Sequence, residues 1–269
     1  MAFADVNGQR LYYEVHGEGE PLLMVMGLAA DHFAFALQTP RFAESYRTIV
    51  FDNRDVGQSS YADGPYEVAD FAADTLALAD ELGLERFHLL GASMGGAIAQ
   101  EVALAAPERI TTLTLAVTFA GSGRYGAELA RLWAGQRDRI SLEEHVDNLL
   151  LRTLSEELYE DEEAFEYVRQ VTLANPYPQR PDGFRRQIEA SRRHDARDRL
   201  GELSMPVHVI GAGHDILIPV WKSEELAELI PGSRYTVIEG APHGVTIERA
   251  DEFNAAVLDF LRSAQPARA

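Results

Sequence analysis

Three short stretches hold the residues best placed to do chemistry. The first is "LLGASMGGAI" at 89–98, an apolar run interrupted by Gly91-Ala92-Ser93-Met94-Gly95-Gly96. A strand normally avoids glycines, which cost backbone entropy and pack nothing. Here they must serve a backbone shape or a close approach. Gly91 to Gly95 fits Gly-x-Ser-x-Gly, a pattern in which a strained strand-to-helix turn lifts the serine hydroxyl beyond the sheet edge. The helix that follows aims its first N–H groups at the same spot. A phosphate-binding glycine loop is the competing reading, but it needs a lysine at the helix start, and none stands there.

A serine hydroxyl is a poor nucleophile until a base takes its proton. The pattern therefore calls for an acid and then a histidine further along the chain. Asp215 lies in "GAGHDILIP" (211–219), just past a β-rich run, and His243 lies in the turn-rich "GAPHG" (240–244). His208 falls inside an apolar strand and reads as a core residue, while His214 neighbours Asp215 and points elsewhere. Any one of these residues alone could be a turn residue. Ser93, Asp215 and His243 together, in that order and at strand ends, predict acyl-transfer chemistry at a serine.

The rest of the chain supplies a frame for those turns. Strands are expected at 10–15, 21–26, 47–52, 86–91, 110–117, 206–211 and 234–239, several of them nearly continuous apolar runs of the kind buried on both faces. Helical spacing occupies 67–83, ending at Gly83, and also 94–106, about 221–230 and 247–262. This alternation implies a mostly parallel central sheet with helices on both faces. From about 120 to 200 only helical segments appear, punctuated by Pro176, Pro178 and Pro181. Such a block would cap one end of the sheet, giving a core of 1–119 and 201–269 with a cap at 120–200. Its acidic run (Glu156 to Glu163) and arginine-rich run (Arg185 to Arg199) read as solvated faces.

Over almost its whole length the chain resembles α/β-hydrolase-fold proteins. The resemblance rests on "VMGLAAD" (25–31), "FDNRDVGQSS" (51–60), "GASMGGAIAQ" (91–100), "GAGHDILIP" and "GAPHG". Within that superfamily it is similar to the lid-bearing esterase and lactonase branch, which includes 3-oxoadipate enol-lactonase-like and aclacinomycin methylesterase-like hydrolases. The resemblance implies Ser93 as nucleophile, His243 as general base and then acid, and Asp215 as the residue that orients the imidazole. It also implies an oxyanion hole made by the backbone N–H groups of Leu28 and Met94. Two departures stand out. Met26-Gly27 replaces the usual His-Gly, leaving a more apolar wall, and Asp55 replaces a glycine in "DNRDVGQS". Aspartate tolerates left-handed backbone better than most residues, so the turn should persist, with Arg54 as a structural brace. Met26, Phe119, Ile216 and Val245 are the expected neighbours of the substrate.

These readings converge on a serine hydrolase of small carboxylic esters or lactones that needs no cofactor. Perhydrolysis and C–C bond hydrolysis use the same triad, and a non-catalytic binder that keeps the fold is the alternative of a different class. The formal charge of −19 argues against nucleic acid or an anionic membrane as partner. Cysteine is absent, which excludes disulfides and thiolate metal sites, and no histidine–carboxylate spacing suggests a metal. With neither a signal-peptide pattern nor an apolar run of membrane-spanning length, a cytoplasmic location is expected. Lys222 is the sole lysine.

Overall fold

The computed structural model describes residues 2–264. Its centre is an eight-stranded sheet. In chain order the strands are β1 (Ala2–Val6), β2 (Gln9–His16), β3 (Glu20–Val25), β4 (Tyr46–Phe51), β5 (Phe87–Ala92), β6 (Ile110–Ala116), β7 (Val207–Ala212) and β8 (Arg234–Ile238). They lie side by side as β1-β2-β4-β3-β5-β6-β7-β8. The pairs β1/β2 and β2/β4 are antiparallel and the other pairings parallel. All six residues of β5 and of β7 are buried, as strands covered on both faces must be.

β1 departs from the sequence expectation, which begins its strands at residue 10. Only two of its five residues are buried, so no apolar run announces it. It is formed by the Asn7-Gly8 turn, whose two residues take φ of 47° and 74°. Positive φ at both central residues matches the right-handed twist of a hairpin.

Helices cover both faces. On one side α2 (Val68–Glu81), α3 (Met94–Ala105) and α9 (Trp221–Leu229) bury Phe71, Leu78, Ile98, Val102 and Leu226 against the sheet. On the other, α1 (Thr39–Ala43) and α11 (Ala250–Ser263) bury Phe42, Phe253, Val257 and Leu261. At the start of α2 the Asp70 carboxylate accepts from the Glu67 N–H at 2.7 Å, occupying an otherwise orphan donor. The helix is closed by Gly83 at φ 65°.

Between β6 and β7 run five α-helices: α4 (Gly123–Arg137), α5 (Leu142–Thr153), α6 (Glu156–Glu160), α7 (Glu162–Leu173) and α8 (Pro181–Arg193). The chain enters and leaves this block side by side. Ala196 donates its N–H to the Ala120 carbonyl at 2.8 Å, and Ser122 donates to His194 at 3.3 Å. Lys222, from α9, pins this neck by donating Nζ–H to the Gly121 carbonyl at 3.0 Å. A short α10 (Val245–Glu248) follows β8. Among the described residues no helix is long and apolar enough to cross a membrane.

Candidate active site

The turn from β5 into α3 explains the glycines around Ser93. A Cβ on Gly91 would run into the Gly95 carbonyl, and one on Gly95 would run into the Val25 carbonyl. Strand and helix therefore meet at backbone distance, and the turn between them is forced. Ser93 takes φ 58° and ψ −127°, outside the regions open to L residues at low cost. It is held there by its own N–H, donated to the Ala116 carbonyl at 2.9 Å. The Thr118 hydroxyl adds a 2.7 Å bond to the Ser93 carbonyl. The side chain is left free to face the sheet edge.

Two other strand ends bring up partners. The Ser93 Oγ lies 3.0 Å from His243 Nε2, and His243 Nδ1 lies 2.7 Å from Asp215 Oδ2. A carboxylate only accepts, so Nδ1 carries the proton and Nε2 is the acceptor facing the hydroxyl. Asp215 is buried, and its other oxygen accepts the N–H groups of Leu217 and Ile218, each at 2.8 Å. Those two bonds fix the carboxylate plane. The two loops are tied to one another as well, His214 donating its N–H to the Ala241 carbonyl at 2.8 Å. His214 itself is exposed, and His208 is buried in β7 with Nε2 2.9 Å from the Thr236 hydroxyl.

The loop after β3 presses against the same turn. A Cβ on Gly27 would sit 2.8 Å from the Ser93 Cβ and 3.1 Å from the Met94 nitrogen. Met94 opens α3, so its N–H has no acceptor within the helix. Leu28, the next residue of the loop, is partly buried against the core cluster that includes Met94. Where a histidine is usual, Met26 packs into the core beneath β3, and its carbonyl accepts from Asn53 Nδ2 at 3.0 Å. Sequence reasoning missed Asn53, although it stands within a quoted motif. Arg54 is a brace: Nε and Nη2 each reach the Asp74 carboxylate at 2.7 Å. Asp55 adopts φ 69° and its buried carboxylate accepts from Tyr66 Oη at 2.6 Å and Arg186 Nε at 2.7 Å.

Of the expected substrate neighbours, Met26 and Val245 belong to one buried core cluster. Phe119 belongs to the cluster on the other face and meets His194 edge-on at 6.0 Å. Ile216 differs from the other three in being 63% exposed. The turn that folds the 217 and 218 N–H groups back onto Asp215 sends it outward. Leu217 instead makes the apolar contact, packing with Trp133, Phe184 and Ile188 of the helical block; Leu28 joins the same cluster.

Asp31, His32 and Asp52 bring ligand-type atoms within 4.8 Å of one another. Those atoms are spent on holding loops. Asp52 Oδ1 accepts the His32 N–H at 2.8 Å and lies 2.7 Å from His32 Nδ1, while Oδ2 accepts the Gln58 N–H at 2.8 Å. Asp31 accepts from Asn175 at 2.8 Å. His145 and His194, within the block, are both pushed down to about 4, chiefly by burial.

The profile of the alpha/beta hydrolase fold family matches residues 20–250. RutD of Azorhizobium caulinodans, a candidate carbamate hydrolase by name, is 31% identical over 97% of this chain and 98% of its own. BpoC of Mycobacterium tuberculosis, a candidate non-heme bromoperoxidase by name, is 30% identical over 94% and 98%. Among solved structures, the enol-lactonase from Burkholderia xenovorans LB400 superposes with a TM-score of 0.88 at 28% identity, covering 97% of this chain and all of that one.

Proposed function

The chain belongs to the alpha/beta hydrolase fold family, and on that premise we propose that it hydrolyses small carboxylic esters or lactones through an acyl-enzyme on Ser93. The observation that carries the reading is the continuous chain Ser93 Oγ–His243–Asp215, at 3.0 and 2.7 Å, ending on a strained turn. Ser93 Oγ attacks the carbonyl carbon while its proton passes to His243 Nε2. Asp215 holds the Nδ1–H and stabilises the imidazolium that forms. The backbone N–H groups of Leu28 and Met94 donate hydrogen bonds to the developing oxyanion from positions fixed in advance. His243 then protonates the leaving alkoxide; on the return leg it takes a proton from water as the oxygen attacks the acyl carbon, and it gives that proton to Ser93 Oγ as the acyl bond breaks and the acid leaves. The helices of 120–200 act as a cap over a core of 1–119 and 201–269. Met26, Val245 and Phe119, with Leu217, give the substrate an apolar surround.

Turnover of p-nitrophenyl acetate and butyrate, with fluorophosphonate labelling located by peptide mapping, tests the reading. The expected result is label on Ser93, and loss of both label and turnover in a folded Ser93→Ala variant. Label elsewhere, or full activity in the variant, overturns it. A panel of esters, lactones and peroxide acceptors then separates hydrolysis from perhydrolysis.

A further inference from the structure

The loop that carries Leu28 is held by two amide side chains. Asn53, from the core, takes the carbonyl of Met26. The second amide comes from the helical block. Gln187 of α8 is fully buried, and both ends of its amide are spent: Oε1 accepts the Ala29 N–H at 3.1 Å, and Nε2 donates to the Arg54 carbonyl at 2.8 Å. Ala29 stands at φ 61°, a conformation a non-glycine residue keeps only when its surroundings hold it. The N–H that Gln187 receives belongs to the residue immediately after Leu28. Leu28 and Ala29 also pack against Phe184 and Ile188 of the same helix.

We infer that Gln187 is a positioning residue for the oxyanion donor, so that α8 of the cap sets the geometry of the reaction centre. The inference rests on the role proposed for Leu28. Its logic is geometric. The Leu28 N–H belongs to the Gly27–Leu28 peptide, which lies between two pinned peptides, Met26–Gly27 and Leu28–Ala29, and takes its direction from them. Releasing Ala29 lets that residue leave φ 61°, which turns the Leu28–Ala29 peptide and, through it, the loop that presents the Leu28 donor. The Gln187 amide bonds to Ala29 and Arg54, not to Ser93 or His243. Its loss should therefore leave binding intact and weaken transition-state stabilisation.

The decisive variant is Gln187→Met, which keeps length and apolar packing but cannot accept the Ala29 N–H. Removing an oxyanion donor outright costs about 10²–10³ in kcat, so a misdirected donor is expected to cost roughly 10- to 50-fold, with KM within about three-fold. An aldehyde analogue, whose adduct on Ser93 carries an oxyanion, should lose affinity by a similar factor. Gln187→Glu, which keeps an acceptor for Ala29 but loses the donor to the Arg54 carbonyl, should lose less kcat than Gln187→Met while lowering Tm. Arg186→Met supplies the control for seating of α8, since it breaks the neighbouring tie to Asp55; it should lower Tm with kcat little changed. An unchanged kcat in Gln187→Met overturns the inference, as does an equal kcat loss in Arg186→Met, or a rise in KM alone. If the wild type shows neither ester turnover nor Ser93 labelling, the hydrolase reading itself fails; if only the Gln187 variants behave as wild type, the failure is confined to this residue.

Discussion

Two parts of one helical block differ in how they meet the rest of the molecule. In α8, Gly183, Phe184, Gln187, Ile188 and Ala190 are buried. Gly183 lies so close to the Asp55 loop that a Cβ would sit 2.8 Å from its carbonyl, and Arg186 and Gln187 add charged and amide ties to core loops. By contrast α7 has no buried residue. Its apolar side chains, Phe165, Val168 and Leu173, pack with Val146, Leu150 and Leu154 of the neighbouring segment in a small cluster of their own. This second part reaches the body through a few bonds: Gly244 N–H to the Thr153 carbonyl at 2.7 Å, Ser155 to Glu248, and Asn175 to Asp31. Inserted sequence therefore need not behave as one unit. α8, together with Trp133 of α4, packs against the loops of the candidate site, while α7 and the face of α5 that packs on it keep a small core of their own, whose local opening costs less.

Substitution at the reaction centre sets the upper end of the scale. Asp215→Asn should lower kcat by roughly 10⁴, because the wrong imidazole tautomer then faces Ser93; steady-state kinetics on p-nitrophenyl butyrate would show it. A loss of only a few-fold would move the orienting role to another carboxylate.

Within the block, Phe184→Ala and Tyr167→Ala put the contrast to a direct test. Phe184 is fully buried between Trp133 and His145, and its truncation should cost about 3–5 kcal/mol. Tyr167, 71% exposed on α7, should cost no more than about 0.5 kcal/mol. Denaturant titrations of both would erase the distinction if the two losses came out alike.

Acid should loosen the molecule through its buried histidines. His145, His194 and His208 sit near 4, against 6.5 for a free imidazole, because burial opposes their charging. The unfolded chain binds those protons first, so stability is full above about pH 6.5 and falls as the pH drops toward 4. His145 lies in α5 and His194 at the end of α8, so both halves of the block share in the loss. A Tm that stayed level between pH 7 and 4 would contradict this.

The smallest effect is expected at Met26. Its carbonyl is held by Asn53 and its side chain offers only apolar contact, so Met26→Leu should keep kcat within about three-fold, as volume-conserving swaps usually do. A hundred-fold loss would give the sulfur a role beyond packing.

Much of the fold is visible in the sequence because burial on both faces leaves a continuous apolar run, as in "RFHLLG" before the reactive turn. Ser93 and Asp215 are legible for a related reason: each closely follows such a run, so a turn signal and a chemical group coincide, whereas His243 is read from the turn-rich loop after β8, of whose residues only Ile238 is buried. β1 escapes because half its side chains face water. Asn53 and Gln187 escape for a different reason. An amide carries no periodicity or spacing of its own, and the bond from Ala29 to Gln187 spans 158 residues. Gln187 stands among the arginines of "FRRQIEASRR", where a solvated face is the natural expectation.

Lys222 gives the molecule an unusual chemical economy. Its ε-amine is the only one among the side chains, and it is occupied at the neck of the helical block, bonded to Gly121 and Glu225 and lying over the Trp221 ring. With its side chain only 11% exposed, Lys222 is reached by an acylating reagent chiefly when that neck parts. The rate at which Lys222 is acylated, read by mass spectrometry with and without a bound inhibitor, thus clocks the breathing of the neck with no label engineered into the chain.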